Sequence, residues 1–238
     1  MDGIEHLDDY VRTLVPDGHP ARTASPGWFG VLQAEVADPG RIPVLVEATR
    51  AAGSAMSPTE TLMVSLLGNE DTDALLARPE MAYMAPATLA QWRQGRANLR
   101  GAPGFTEARA ERFLDLRRQL LLALHRGGVP IVLGSDAPQM FNVPGASAHR
   151  ELDLMVAAGL SPYEALRTGT ANFAAHLGMA ETRGTIAPGM AADLVLLSAN
   201  PLEDIAHTRR IEGVMVDGRW HDRAALDARL DAIKASHR

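Results

Sequence analysis

Apolar positions along this 238-residue chain recur at two spacings, and the alternation between them sets the expected order of elements. Short apolar runs bounded by turn residues mark buried strands. They occur at Gly3-Ile4-Glu5-His6, read as the end of a strand, at Gly53 to Met56, ending in Ser57-Pro58-Thr59, and at Pro130 to Leu133. Between them, Trp28 to Ala37 is apolar at helical spacing and is stopped by Asp38-Pro39-Gly40, and Pro43 to Ala52 predicts a second helix. Thr106 to Arg126 predicts the best helix of the chain, with Phe113, Leu116, Leu120 and Leu124 on one face and Thr106 as N-cap. A helix feeds a strand twice over, which is the rhythm of an α/β fold.

Downstream, His149 to Gly159 and Ser161 to Leu177 predict two more helices. The second opens with Ser161 as N-cap, Pro162 at the first helical position and Glu164 three residues on, a capping box. Gly184 to Gly189 reads as a turn between extended pieces, Ala192 to Ser198 as a strand, and Gly213 to Trp220 as a hairpin with Asp217-Gly218 in a primed turn. Ala224 to Ser236 closes the chain as an amphipathic helix. The stretch from Asn69 to Pro103 is broken and mixed, and such an excursion after a strand end predicts an active-site loop region.

Composition narrows the chemistry. With 46% hydrophobic and 22% charged residues the chain is an ordinary globular one, and a net charge of −6 with scattered arginines argues against a nucleic-acid partner. There are no cysteines, so His, Asp and Glu are the available metal ligands. Lys234 is the sole lysine, which leaves none elsewhere to carry a metal-bridging carbamate. The N-terminus lacks the basic start and apolar stretch of a signal peptide, and no run of about 18 apolar residues exists. The expectation is therefore no membrane span and, by default, a cytoplasmic location.

The residue that draws attention is Asp136. Gly134 permits a tight turn after the Pro130 to Leu133 strand, and a carboxylate just past the C-terminal end of a parallel strand stands where α/β folds place their chemistry. An Asp shortly before Pro138 also suits a turn, and the residues alone leave both readings open.

From Gly134 onward the motifs GSDAP, SPYEALRTGTANFAAHLGM and GTIAPGMAADLVLLSANPLEDI, followed by VMVDGRW, resemble the metal-dependent amidohydrolase superfamily, most closely its imidazolonepropionase-like branch. Upstream, Ile4-Glu5-His6 and Met56-Ser57-Pro58-Thr59 resemble the ends of the family's sixth and seventh barrel strands, and GSDAP that of the eighth. The resemblance implies an α/β fold built as the C-terminal part of a (β/α)8 barrel over residues 1–178, about strands 6 to 8, followed over 179–238 by a small β unit belonging to a composite sandwich. It implies His6 and Asp136 as metal ligands, Asp136 also as general base, Zn2+ or another divalent cation as cofactor, and His149 as a weaker substrate contact. The implied activity is hydrolysis of a non-peptide C–N bond in a small cyclic-amide or dipeptide-like substrate.

The family's first-strand His-x-His pair is absent here, as are the bridging residue of the fourth strand and the histidine of the fifth. The expectation is a chain truncated at its N-terminus that binds metal weakly, and that forms a homo-oligomer or takes a complementing N-terminal piece. A non-catalytic fragment or split-gene partner is the alternative.

Overall fold

The computed structural model describes residues 3–237. Strand β1 (Gly3–Glu5) is followed by helix α1 (Asp8–Thr13), helix α2 (Ile42–Ala52), strand β2 (Ala55–Ser57) and helices α3 (Glu60–Leu67), α4 (Thr72–Leu76), α5 (Pro86–Arg100) and α6 (Glu107–Arg126). After α6 come helices α7 (Ala146–Ala158), α8 (Pro162–Thr168) and α9 (Ala171–His176). The chain then forms strands β3 (Leu194–Leu197), β4 (Ile211–Val216) and β5 (Arg219–Asp222) and ends in helix α10 (Arg223–Ser236). The architecture is mixed α/β.

β1 and β2 pair in parallel, Ile4 opposite Met56. The expected third strand is present as a single parallel bridge between Ile131 and Met56. Met56 donates to Pro130 O at 2.8 Å, and Val132 donates to Met56 O at 2.9 Å. Leu133 donates instead to Thr168 O at 3.1 Å, so the ladder hands over to the helices there. β3, β4 and β5 form an antiparallel sheet whose Asp217-Gly218 turn has φ of 48° and 74°, the primed geometry expected from an Asp-Gly pair.

The core follows from α6. Phe113, Leu116, Leu120 and Leu124 are all fully buried, with Leu7, Met56, Met63 and Ile131 in the same cluster. Each such side chain contributes about 2 kcal/mol of transfer free energy. A smaller cluster joins Leu75, Met81, Trp92, Phe141 and Val143, the Trp92 and Phe141 rings 5.9 Å apart in a tilted pair.

The structure departs from the expected elements in three places. Residues 28–37 form a short 3-10 turn, Val31–Gln33, rather than a helix. Phe29 and Gly30 take φ of 55° and 89°, which breaks helical continuity, and the Gln33 amide donates to Ala21 O at 2.7 Å. The mixed stretch after β2 is helical, not a loop region, and α5 alone is fifteen residues long. Its buried residues are Trp92, Arg96 and Leu99, at i, i+4 and i+7, so a guanidinium stands on the helix's buried face. The span from Ser161 to Leu177 is two helices, because the chain turns at Gly169-Thr170. That break frees Thr168 O for Leu133 and lets the Asn172 amide reach Ile131 O at 3.0 Å.

Candidate active site at the parallel strand ends

The three parallel segments end on one rim, and just past each end stands a non-glycine residue in the left-handed region. These are His6 at φ 67°, Thr59 at φ 52° and Asp136 at φ 54°. For a β-branched threonine that conformation is an outlier. Such residues cost on the order of 1–3 kcal/mol each and persist where surrounding contacts over-determine them, most often at functional sites.

Those contacts are visible. The His6 backbone donates to Ser57 O at 2.9 Å, and its Nδ1 lies 2.7 Å from the Thr59 hydroxyl. The other ring nitrogen, Nε2, faces Asp136 Oδ2 at 3.7 Å, each side chain about one third exposed. Asp136 Oδ2 also accepts from the Gln139 amide. Ser135 and Ser147 share a hydroxyl hydrogen bond of 2.9 Å, and the Asn142 amide donates to Ser135 O at 2.7 Å, tying the loop around Asp136 to the start of α7. Gly134 lets this loop lie against β2, since a Cβ there would stand 2.2 Å from Ser57 Oγ.

Beneath the rim lies a buried cluster of ionisable side chains. Glu151 of α7 accepts from the backbone N–H of Glu60 at 2.9 Å and of Thr61 at 2.7 Å. Arg117 of α6 donates to Glu60 Oε1 at 3.0 Å and to Pro58 O at 2.7 Å. Burial pushes the Glu151 carboxyl up to about 8, with the neighbouring Glu60 charge adding to the rise and the two backbone donors and Arg117 opposing it.

Of the residues singled out in the sequence, the structure brings His6 and Asp136 together. His149 faces elsewhere: it lies two residues from Glu151 on α7, so it points to the opposite side of the helix, and its Nδ1 pairs with Thr208 Oγ1 at 2.9 Å. Burial, then the Arg209 charge, lowers its pKa. Thr59 stands in the Met56-Ser57-Pro58-Thr59 motif, but nothing in the sequence marks Gln139 or Glu151 for this site.

A metal fit can be judged from the donor geometry. Two ligands about 2 Å from one tetrahedral zinc stand roughly 3.5 Å apart, close to the His6–Asp136 separation of 3.7 Å. The bond from Thr59 to Nδ1 suits Nε2 for ligation, since a ligating histidine ordinarily has its other nitrogen held. Among the described residues no group of three or more His, Cys, Asp or Glu side chains is placed to hold an ion, so the pair fits as part of a ligand set and not as a whole one. Among the same residues no helix is long and apolar enough to cross a membrane.

The chain is similar to several known proteins. An imidazolonepropionase from Vibrio vulnificus (strain CMCP6) is 36% identical over 105 residues, covering 41% of this chain and 25% of the relative. One from Ralstonia nicotianae (strain ATCC BAA-1114 / GMI1000) is 28% identical over 225 residues, 89% of this chain and 53% of the relative. The solved structure of a bottromycin amidohydrolase superposes with a TM-score of 0.67 at 23% identity, covering 99% of this chain and 48% of that one, which shows a shared fold. The chain spans about half the length, or less, of these relatives. The model of the amidohydrolase family matches residues 33–221, most of the chain, and with the imidazolonepropionase relatives it shows that this protein belongs to the amidohydrolase family, in its imidazolonepropionase-like branch.

Proposed function

We propose that this chain supplies part of a metal-dependent hydrolase site for a non-peptide C–N bond, in a small cyclic-amide or dipeptide-like substrate, with His6 and Asp136 as two of its metal ligands. The observation that carries the reading is the approach of His6 Nε2 to Asp136 Oδ2 at 3.7 Å, at the ends of parallel strands. When bound, a divalent ion such as Zn2+ supplies Lewis acidity and a water whose pKa is lowered to about 7. Thr59 orients the His6 ring through Nδ1, and the Gln139 amide holds Oδ2 of Asp136. Asp136 is the general base: its carboxylate takes a proton at the rim and returns it to the departing nitrogen. His149 is left out of this site because its ring is committed to Thr208.

The reading assigns residues 1–178 to the last three βα units of a (β/α)8 barrel and 179–238 to a composite β-sandwich portion. Two observations support a partner. β1 has a neighbour on one side only among the described residues, and a cavity of about 500 Å3 opens beside it, lined by Ile4, Tyr10, Leu45 and Thr49. The partner is a complementing N-terminal barrel half or a second copy of the chain. The two-donor count also suits the alternative, a fragment with no turnover of its own.

Cobalt(II) titration followed by absorption tests the ligand assignment. Weak binding by the chain, lost in both His6→Ala and Asp136→Asn, is expected; binding indifferent to both substitutions would refute it. The chain alone should show no C–N hydrolysis. Adding the N-terminal half of an imidazolonepropionase-like relative with zinc should restore it, and Asp136→Asn should abolish the restored rate. Turnover by the isolated chain that is lost on chelation would show that a further ligand completes the site.

A further inference from the structure

We propose that Glu151 is a positioning residue for this site, fixing the start of α3 so that the Thr59 hydroxyl holds His6 Nδ1 and presents Nε2 to Asp136. The inference rests on the reading of His6 and Asp136 as the reactive pair. It begins from an anomaly at α3. Thr59 is the N-cap of that helix, and a threonine there ordinarily accepts a bond from the second or third backbone N–H. This one makes no such bond; its φ of 52° lies outside the extended region that capping requires, and its hydroxyl is engaged by His6.

The task of satisfying the helix start passes to Glu151, from an element 90 residues on. Its two carboxylate oxygens take the N–H groups of Glu60 and Thr61, the two residues that follow Thr59. On the other side, Arg117 holds Pro58 O, the carbonyl just before Thr59. Thr59 is thus clamped from both flanks by side chains that are fully buried. A helix cap alone would not call for this arrangement, since the threonine already at the N-cap could perform it without burying an ionisable group. The clamp instead releases that hydroxyl and keeps the left-handed conformation that aims it at the ring.

One tautomer is expected: Nδ1–H donates to Thr59 Oγ1 and the Nε2 lone pair is directed at the rim, the form a metal ligand needs, whereas Thr59 O–H donating to Nδ1 would put Nε2–H toward Asp136. Long-range proton–nitrogen correlation spectra of the metal-free chain, at a mildly alkaline pH where a free imidazole is neutral, read this directly. The wild type should show His6 as the Nδ1–H tautomer. Glu151→Gln, which replaces one acceptor oxygen by a donor facing an N–H, should move His6 toward the Nε2–H form that free histidine favours and lower cobalt affinity about tenfold. Glu164→Gln, in the capping box of α8, should leave the tautomer unchanged.

A folded Glu151→Gln chain with His6 unaltered, or a wild type already in the Nε2–H form, would overturn the proposal. Should Glu151→Gln fail to fold, Thr59→Ser against Thr59→Ala tests the other end of the same connection: serine should keep the tautomer and alanine lose it, and identical behaviour of the two would overturn it. Because the tautomer is measured without metal, failure of the hydrolase reading leaves a different mark, a preserved tautomer with cobalt binding indifferent to both donors.

Discussion

Glu151→Gln should change how stability depends on pH, and the structure sets the sign and size. The carboxyl is fully buried and its folded-state pKa is raised from 4.5 to about 8. An acid whose pKa is raised by folding contributes its stability below the unfolded value, and that contribution is lost as pH climbs through the folded value. At about 1.36 kcal/mol per unit, the rise corresponds to a loss of roughly 5 kcal/mol between about pH 4.5 and pH 8. Glutamine has no such term. Urea unfolding of both proteins across that window should show the two comparable at the acid end, where a protonated carboxyl, like the amide, offers one acceptor and one donor. The wild type should lose stability relative to the variant steadily as pH rises. A difference that stays flat across the window would refute the reasoning, because it would mean that two backbone donors and Arg117 hold the carboxylate charged throughout.

Two further outcomes follow from single contacts. Arg96→Met should cost about 3 kcal/mol in urea unfolding, since Arg96 donates to the carbonyls of Ser65, Gly68 and Glu70 and to the Thr72 hydroxyl at 2.6–3.0 Å, and its loss removes all four bonds and leaves the buried Ser65 carbonyl without this donor; a change below about 1 kcal/mol would show that water replaces it. Gly134→Ala should cost about 1–3 kcal/mol, because its Cβ falls 2.2 Å from Ser57 Oγ. Adding Ser57→Ala, which removes that oxygen and leaves a 3.6 Å contact, should recover most of the loss, and a double variant no better than the single would show that the clash lies elsewhere.

Much of the local structure was legible in the sequence because its causes lie within a few residues of each other. The Thr106 side chain caps α6 through Arg109 N–H as its position suggested, Ser161 and Glu164 close their capping box, and the Asp217-Gly218 pair makes the hairpin turn. The apolar face of α6 needed no more than the helical period to identify it. Where local pattern does not suffice, a distant partner decides. Arg96 is buried because four acceptors from the chain after β2 surround it, and the single helix expected over Ser161 to Leu177 breaks at Gly169 where the strand at Ile131 and Leu133 takes Thr168 O and the Asn172 amide.

The candidate site divides along the same line. His6 and Asp136 could be named from strand ends and motif, but their approach to 3.7 Å is a product of the parallel register of three segments far apart in the chain. His149, equally eligible as a residue type, is turned away by the helical phase of α7. The contacts that aim the pair were not legible in the sequence: Thr59 reaches His6 across 53 positions, and Glu151 reaches Glu60 across 91. By itself the sequence determined the long helix α6, the caps and the hairpin turn, and which side chains are chemically able to act, because propensity, capping and periodicity operate over short spans. Only the tertiary structure decided which of those side chains meet and which buried groups hold them, because hydrogen-bond donors and acceptors taken from water must find partners wherever packing brings them.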